Sequence, residues 1–260
     1  MRERLTDPAL AQILDFCAEE PVERVFLEDV ARRRLGRFTA LERRGRLTAL
    51  CHVGANVVPS GSGCAAFADV VLRGRARMFI GAERSVDELW DACASSLPEP
   101  REDRPGQPVY ELREAPERGG TALREATLDD LDLLLPACAA AHEEELGVDP
   151  LARDPTAFRW RTRSQIDERR SWLWVEGTTI LFKAEASAWT PDAVQLQQVW
   201  CDPDARGRGY ARRALSDLCT LLLERVPAVC LFVRRENERA LRLYEAVGMR
   251  RAGTYRSILL

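Results

Sequence analysis

The hexapeptide Arg206-Gly207-Arg208-Gly209-Tyr210-Ala211 stands between a strand-like run, Val194 to Cys201, and a long stretch of helical spacing that ends before Pro227. A helix start leaves backbone N–H groups unpaired and carries partial positive charge, so a strand–turn–helix junction can hold a phosphate or pyrophosphate. Gly207 and Gly209 allow close backbone approach or unusual dihedrals. The guanidinium groups of Arg206, Arg208 and Arg212 either reinforce such a cradle or face solvent. The chemistry suggested is the binding of a phosphorylated carrier. Neither GxGxxG nor GxxxxGK[ST] is present, which argues against a dinucleotide fold and a nucleoside-triphosphate loop.

Other reactive groups are scattered along the chain. Lys183 and Glu185 fall on one face of the strand-like Thr178 to Thr190 segment, where an ion pair competes with a proton-transfer role for Glu185. His142 and Glu143 to Glu145 close a helical stretch as either a solvated helix end or an acidic mouth for an amine. His52, beside Cys51 in an apolar run, reads as a core histidine. Gly61 and Gly63 in PSGSGC read as a flexible turn, because the helix after them is uncertain. Eight cysteines show no CxxC pair and no His-Cys cluster, so they read as small buried hydrophobes, with no metal site expected.

The elements around these groups follow from period and punctuation. Asp7-Pro8 can cap a helix bearing Leu10, Ile13, Leu14 and Cys17. Gly36 to Ser60 reads as a hairpin turning at Arg43 to Arg46, then a further strand or turn. Ser85 and Glu88 have the spacing of a capping box. Pro98 to Gly120, with five prolines, resists a regular helix and is read as the domain boundary, with a brief strand at VYELR; the expected domains are 1–118 and 119–260. Thr127 and Asp130 mark a helix start, and Pro136 bends that helix without ending it. Three strands follow between Ser171 and Pro203. In the third the apolar phase slips between Gln197 and Gln198, as a β-bulge would produce. A helix from Asn237 or Glu238 to Gly248 then leads into a final hairpin or strand pair.

Composition narrows the class. At 46% hydrophobic and 30% charged residues, a packed globular chain is expected. A formal charge of −3 gives no broad attraction to nucleic acid or anionic membrane, so neither is an expected partner. The polar N-terminus and the lack of an apolar spanning run point to a cytoplasmic protein.

From about Thr121 to Leu260 the chain resembles the GNAT superfamily of acyl-CoA-dependent N-acetyltransferases. Arg206-Gly207-Arg208-Gly209-Tyr210-Ala211 fits that family's phosphate-loop pattern, and Asn237-Glu-Arg-Ala240-Leu-Arg-Leu243-Tyr244 resembles its final helix. The resemblance implies acetyl-CoA as donor, with backbone groups at Val199 and Cys201 pairing its pantetheine arm. It further implies that the loop of Arg206, Gly207, Arg208, Gly209, Tyr210, Ala211 and Arg212 holds the pyrophosphate, and that Asn237 contacts the arm. Tyr244 takes the general-acid position, and the N–H near Val199 is the implied oxyanion donor. Many relatives carry a glutamate base on the bulged strand; here Gln195, Gln197 and Gln198 stand there, which leaves Glu185 acting directly or through water, or Glu143 or Glu144 orienting a cationic amine while water carries away its proton.

The N-terminal half is similar to a diverged copy of the same fold without the loop. The expected architecture is α/β, a mixed and mostly antiparallel sheet flanked by helices, in tandem acyl-CoA N-acyltransferase-like domains. The expected activity is transfer of an acetyl group to a primary amine of a small molecule or peptide, with homodimer formation left open. The competing reading is a non-catalytic acyl-CoA-binding sensor, favoured by the glutamines and opposed by Tyr244.

Overall fold

A computed structural model describes residues 3–260. The chain divides into two compact units: Met1–Glu111 with Phe232–Leu241 and Arg251–Leu260, and Leu112–Leu231 with Arg242–Arg250.

The first unit opens with β1 (Glu3–Thr6), α1 (Leu10–Ala18), α2 (Val25–Arg32), β2 (Arg37–Arg43), β3 (Arg46–Val53) and β4 (Asn56–Gly61). After a 3-10 turn at Cys64–Phe67 come α3 (Ala68–Leu72), β5 (Met78–Ala82), α4 (Glu83–Cys93) and β6 (Glu102–Leu112). Arg44 and Gly45, both at positive φ, make the tight turn between β2 and β3. Ile13, Phe16 and Cys17 of α1 pack with Leu27, Ala40, Leu50 and Val58. A second cluster joins Phe67, Val71, Phe79, Val86 and Leu89. Alternate residues of β3 and β4 thus feed different cores, as the two-residue period of a strand requires.

The second unit runs through β7 (Arg124–Glu125), α5 (Leu131–Leu146), α6 (Pro150–Arg153), α7 (Pro155–Asp167), β8 (Ser171–Glu176), β9 (Thr179–Trp189) and β10 (Val194–Cys201). Next come α8 (Tyr210–Leu223), β11 (Val229–Phe232) and α9 (Glu238–Val247), and the chain closes with β12 (Arg250–Leu259), nearly all of which belongs to the first unit. Strand order in this unit is β11-β10-β9-β8-β7, with only the β10–β11 pair parallel. Thr127 and Asp130 form the expected capping box, and Pro136 lies inside α5. The incoming chain is tied to α8 by Asp217, which accepts from Gly119 N (2.8 Å), Thr121 N (2.7 Å) and Thr121 Oγ1 (2.6 Å).

The structure corrects four local expectations. The C-terminal segment is no hairpin: β12 is one strand that pairs with β5, Tyr255 opposite Ala82 and Leu259 opposite Met78, giving the first unit the order β1-β2-β3-β4-β5-β12-β6. The brief strand at VYELR is the end of an 11-residue strand that accommodates Pro105 and Pro108, with Gly106 at φ +69°. The cap of α1 is Ala9, aided by Gln12 Oε1, rather than Asp7. Ser85 and Glu88 form no capping box, because α4 has begun at Glu83; both side chains turn to the Gly61–Cys64 turn.

Candidate active site

Strand β10 departs from regularity where a ligand would need it to. Gln197 pairs with Glu185 of β9, but the next pair is Trp200 with Lys183, so Gln198 and Val199 together oppose Ala184. Gln198 takes φ +52°, uncommon for a residue other than glycine. Gln197, Gln198 and Val199 are also the partly exposed residues of an otherwise buried strand. On the other edge, β10 pairs with β11 only at Val194–Val229 and Gln195–Cys230. The two parallel strands therefore part just before the bulge, which leaves backbone donors and acceptors along Gln197 to Cys201 facing a gap rather than a neighbouring strand.

The glycine-containing turn follows β10 along the chain. Gly207 and Gly209 have φ +76° and +83°, and a Cβ added at either would meet no atom within 4 Å. Gly209 is the N-cap of α8, a 14-residue helix whose first N–H groups have no side-chain cap. Such a turn fits a pyrophosphate: open space on the outer side, unpaired donors and the positive end of a helix dipole. Arg208 and Arg212 are exposed beside it. Arg206 instead sends its guanidinium back to Cys201 O (Nε, 3.0 Å) and Glu144 Oε1 (2.6 Å), so it braces the turn. Tyr210 packs against Trp174, ring centroids 5.2 Å apart, and Ala211 is half-buried in the first turn of α8.

The end of α5 seats on the bulge. Glu145 Oε2 accepts from Gln198 Nε2 at 2.8 Å, and Glu144 Oε1 accepts from Trp200 Nε1 at 3.1 Å. Two of the three glutamates are thus used in building the site, which sequence spacing alone did not separate from a solvated helix end. Glu143 remains exposed.

Tyr244, on α9, is 6% exposed. Burial raises its phenol well above the ordinary value, with Glu145 and then Cys219 adding to the rise, so the O–H keeps its proton at neutral pH. Asn237 caps the same helix, its Oδ1 accepting from Ala240 N at 3.1 Å. Its side chain is thereby engaged in holding α9.

Beneath the bulge, Lys183 and Glu185 are both fully buried and joined at 2.8 Å. Burial pushes the Glu185 carboxyl up, but Lys183 and then Arg161 outweigh it and hold the pKa down at about 2. Glu185 also accepts from Arg161 (3.2 Å), Gln197 (3.3 Å) and the Cys138 thiol (3.4 Å). A carboxylate so stabilised as an anion is a weak proton acceptor. All eight cysteines are free and buried. No group of three or more His, Cys, Asp or Glu among the described residues is arranged to hold a metal ion.

Residues 136–249 match the acetyltransferase (GNAT) family, and residues 36–134 match a domain of unknown function (DUF4081). The chain therefore couples an N-terminal DUF4081 domain to a C-terminal GNAT acetyltransferase domain. Among solved structures it is similar to a GCN5-related N-acetyltransferase from Sphaerobacter thermophilus: 19% identity over 98% of this chain and 94% of that one, TM-score 0.61. A GNAT-family acetyltransferase from Colwellia psychrerythraea matches over 100% of both chains at 9% identity and TM-score 0.59. A tandem GNAT protein from the clavulanic acid biosynthesis pathway matches over 100% of this chain and 98% of that one at 12% identity and TM-score 0.58. At such identities the likeness is one of fold, and it extends over both halves: the architecture is a tandem of GNAT-like domains. No curated protein matches the sequence. The C-terminal domain makes the protein an acetyltransferase that uses an acyl-CoA cosubstrate. No helix among the described residues is long and apolar enough to cross a membrane.

Proposed function

We propose that the protein transfers an acetyl group directly from acetyl-CoA to a primary amine of a small molecule or peptide. The observation that carries this reading is the succession of three features in the second unit. The parting of β10 from β11, the two-residue bulge at Gln198 and Val199, and the open Gly207–Gly209 turn on α8 follow one another along the chain.

In this reading the backbone at Val199 and Cys201 pairs the pantetheine arm, and the turn from Arg206 to Arg212 takes the pyrophosphate. The Val199 N–H, released from the β9 ladder by the bulge, donates to the oxygen on which negative charge develops during attack. Tyr244 presents its O–H to the departing sulfur; the raised pKa keeps that donor present. Asn237 acts by fixing the start of α9 and with it Tyr244. Glu185 holds Gln197 and the bulge from below rather than removing a proton.

Calorimetric titration with acetyl-CoA, with NADH as control, tests the cofactor half of the reading. Saturable binding of about one acetyl-CoA per chain and none of NADH is expected. A chain that is folded and CoA-free yet binds no acetyl-CoA would sink the reading. Turnover is then followed as thiol release over a panel of alkylamines, diamines and peptide amines.

A further inference from the structure

The site described so far has an oxyanion donor and an acid but no group suited to take the proton from the amine. The two histidines of the chain differ sharply in this respect. His52 is 6% exposed and wedged between Phe26 and Phe38, ring centroids 5.9 and 5.3 Å away. A Cβ on Gly36 would lie 2.1 Å from its Nε2, so the ring is walled in by backbone. His142 is half-buried and makes no hydrogen bond with any described residue, which leaves both ring nitrogens for substrate or water.

The position of His142 follows from helical spacing. It lies four residues after Cys138, whose thiol contacts Glu185 Oε1 (3.4 Å) and Lys183 Nζ (3.2 Å) under the bulge. It lies three residues before Glu145, which holds Gln198 of the bulge. Residues three and four apart on a helix share one face, so the imidazole stands between the buried Lys183–Glu185 pair and the Gln198 end of the site. Phe158 of α7 closes its other side edge-on, centroids 5.8 Å apart, and Arg161 of α7 lies over that same ring at 5.5 Å.

We propose that His142 is the proton acceptor for the amine in acetyl transfer. The proposal rests on the acetyltransferase reading given above. As the amine nitrogen bonds to the thioester carbonyl carbon it gains positive charge and acidity, and its proton passes to the imidazole. The carbon–sulfur bond then breaks, the sulfur leaves with the electron pair and takes the proton of the Tyr244 O–H, and the imidazolium proton returns through water to the tyrosinate. The products are the amide and the free thiol.

The charged neighbours set the protonation state. Burial lowers the pKa of His142 below its ordinary value, Arg161 of α7 lowers it next, Glu145 of α5 and Glu185 of β9 oppose, and Lys183 of β9 lowers it again. The net fall keeps the ring neutral at physiological pH, the form that can accept a proton. An imidazole in the chain's only other histidine position could not do this, since His52 reaches no substrate.

The test uses the full chain, acetyl-CoA and the amine panel, with kcat/KM measured against pH for wild type, His142→Gln, Arg161→Gln and Arg161→Lys. Wild type should show an ascending limb whose midpoint lies below the ordinary histidine value. His142→Gln should lose that limb and about a hundredfold or more in kcat, with the acetyl-CoA dissociation constant unchanged. Arg161→Gln removes a charge that lowers the His142 pKa, so both the limb and the His142 resonance in an NMR titration should move to higher pH; Arg161→Lys should leave them in place. Full rate and an unchanged limb in His142→Gln, alongside an active wild type, would overturn the proposal. A wild type that binds no acetyl-CoA fails at the earlier step and overturns the acetyltransferase reading itself.

Discussion

The two units use the same succession of elements and finish it differently. In the first, β4 leads through Gly61-Ser62-Gly63 into the Cys64–Phe67 turn and α3, then β5, α4 and β6. In the second, β10 leads through Arg206 to Gly209 into α8, then β11 and α9, after which the chain ends in β12, a strand of the first unit. Each contains one parallel pair that is held at only two register positions, Asn56–Met78 and Val57–Phe79 in the one, Val194–Val229 and Gln195–Cys230 in the other. The differences are local. Strand β4 pairs with β3 in unbroken register from Val57 to Gly61, without a bulge. Its turn is packed shut: a Cβ on Gly61 would meet Thr48 O at 2.3 Å, and one on Gly63 would meet Leu41 at 2.9 Å. The N–H groups of Gly63 and Cys64, the counterparts of a phosphate cradle, donate to Glu88 Oε2 at 2.8 and 3.0 Å. A carboxylate of the protein's own α4 thus takes the place an anion would need, and the helix behind it is five residues long against 14. One topology can be kept as scaffold in one copy and as the proposed cofactor site in the other by changing a bulge, a turn and one side chain.

The largest test concerns what lies under each central strand. Beneath the bulge of β10, β9 buries Lys183 and Glu185, whereas β3, the neighbour of β4, buries Ala49, Leu50 and Cys51. Removing one member of a buried pair leaves the other uncompensated, so Lys183→Met should cost about 3–5 kcal/mol in urea unfolding. Pairing it with Glu185→Leu should recover much of that loss, because the stranded charge is gone. The pH dependence has a definite sign. The folded pKa of Glu185, about 2, lies below the unfolded value, so its contribution is present above about pH 4.5 and lost as pH falls toward 2. That acid-labile part should vanish in the double variant. A single variant as stable as wild type would mean that the pair does not support the bulge.

The next effect tests whether the first unit is closed only by Glu88. Glu88→Ala removes a charged acceptor from two backbone donors and should destabilise the chain by about 1.5–3 kcal/mol. The stoichiometry of acetyl-CoA binding should remain one per chain, because the unbulged β4 and the packed glycines still bar the arm. A second bound equivalent in calorimetry would break the comparison and make Glu88 a plug over an intact site.

How far these features could be read beforehand varies with the kind of interaction. The slip of apolar phase at Gln197 and Gln198, the turn at Gly207 and Gly209, and the capping box at Thr127 and Asp130 are local and were legible in residue order. The seat of α5 on the bulge was not. Glu144 and Glu145 reach Trp200, Arg206 and Gln198 across more than fifty residues, and spacing cannot distinguish such contacts from solvation. For the same reason Ser85 and Glu88 passed for a capping box: the spacing was right, but their partners are the glycines of a turn more than twenty residues earlier. His142 carried no sequence signal beyond its place near the end of a helix. What marks it is the lack of a hydrogen-bond partner among the described residues in a charged surrounding, which only packing reveals. The pairing of β12 with β5 was hidden likewise, since strand pairing over such a separation leaves no periodic trace.

The glycines of the two turns should respond in opposite ways. Gly209 is left-handed with open space outside it, so Gly209→Val suffers chiefly from its backbone conformation, about 1–3 kcal/mol. The loop can relieve that strain only by giving up the conformation that presents its N–H groups. Acetyl-CoA affinity should therefore fall about tenfold to a hundredfold, while unfolding by urea changes by less than the strain itself. Gly63→Ala meets both a left-handed backbone and Leu41, and no ligand is at stake there. Its cost should appear wholly in unfolding, with acetyl-CoA binding untouched.

Smallest is the effect of Arg208→Ala. The side chain is exposed and lies over the Tyr210 ring at 5.2 Å, without an ion-pair partner among the described residues. If backbone N–H groups and the helix dipole hold the pyrophosphate, losing this arginine should weaken acetyl-CoA by only a few-fold, about 0.5–1 kcal/mol. The loss should shrink further in 0.5 M salt, where the Debye length falls to about 4–5 Å. Arg84→Ala, the exposed arginine beside Glu88 in the first unit, should leave acetyl-CoA binding unchanged at either ionic strength. A loss of a hundredfold or more in Arg208→Ala would shift the binding energy from backbone to side chain. The decisive difference between the two turns would then be the arginines that flank one and not the other, rather than the carboxylate that fills the first.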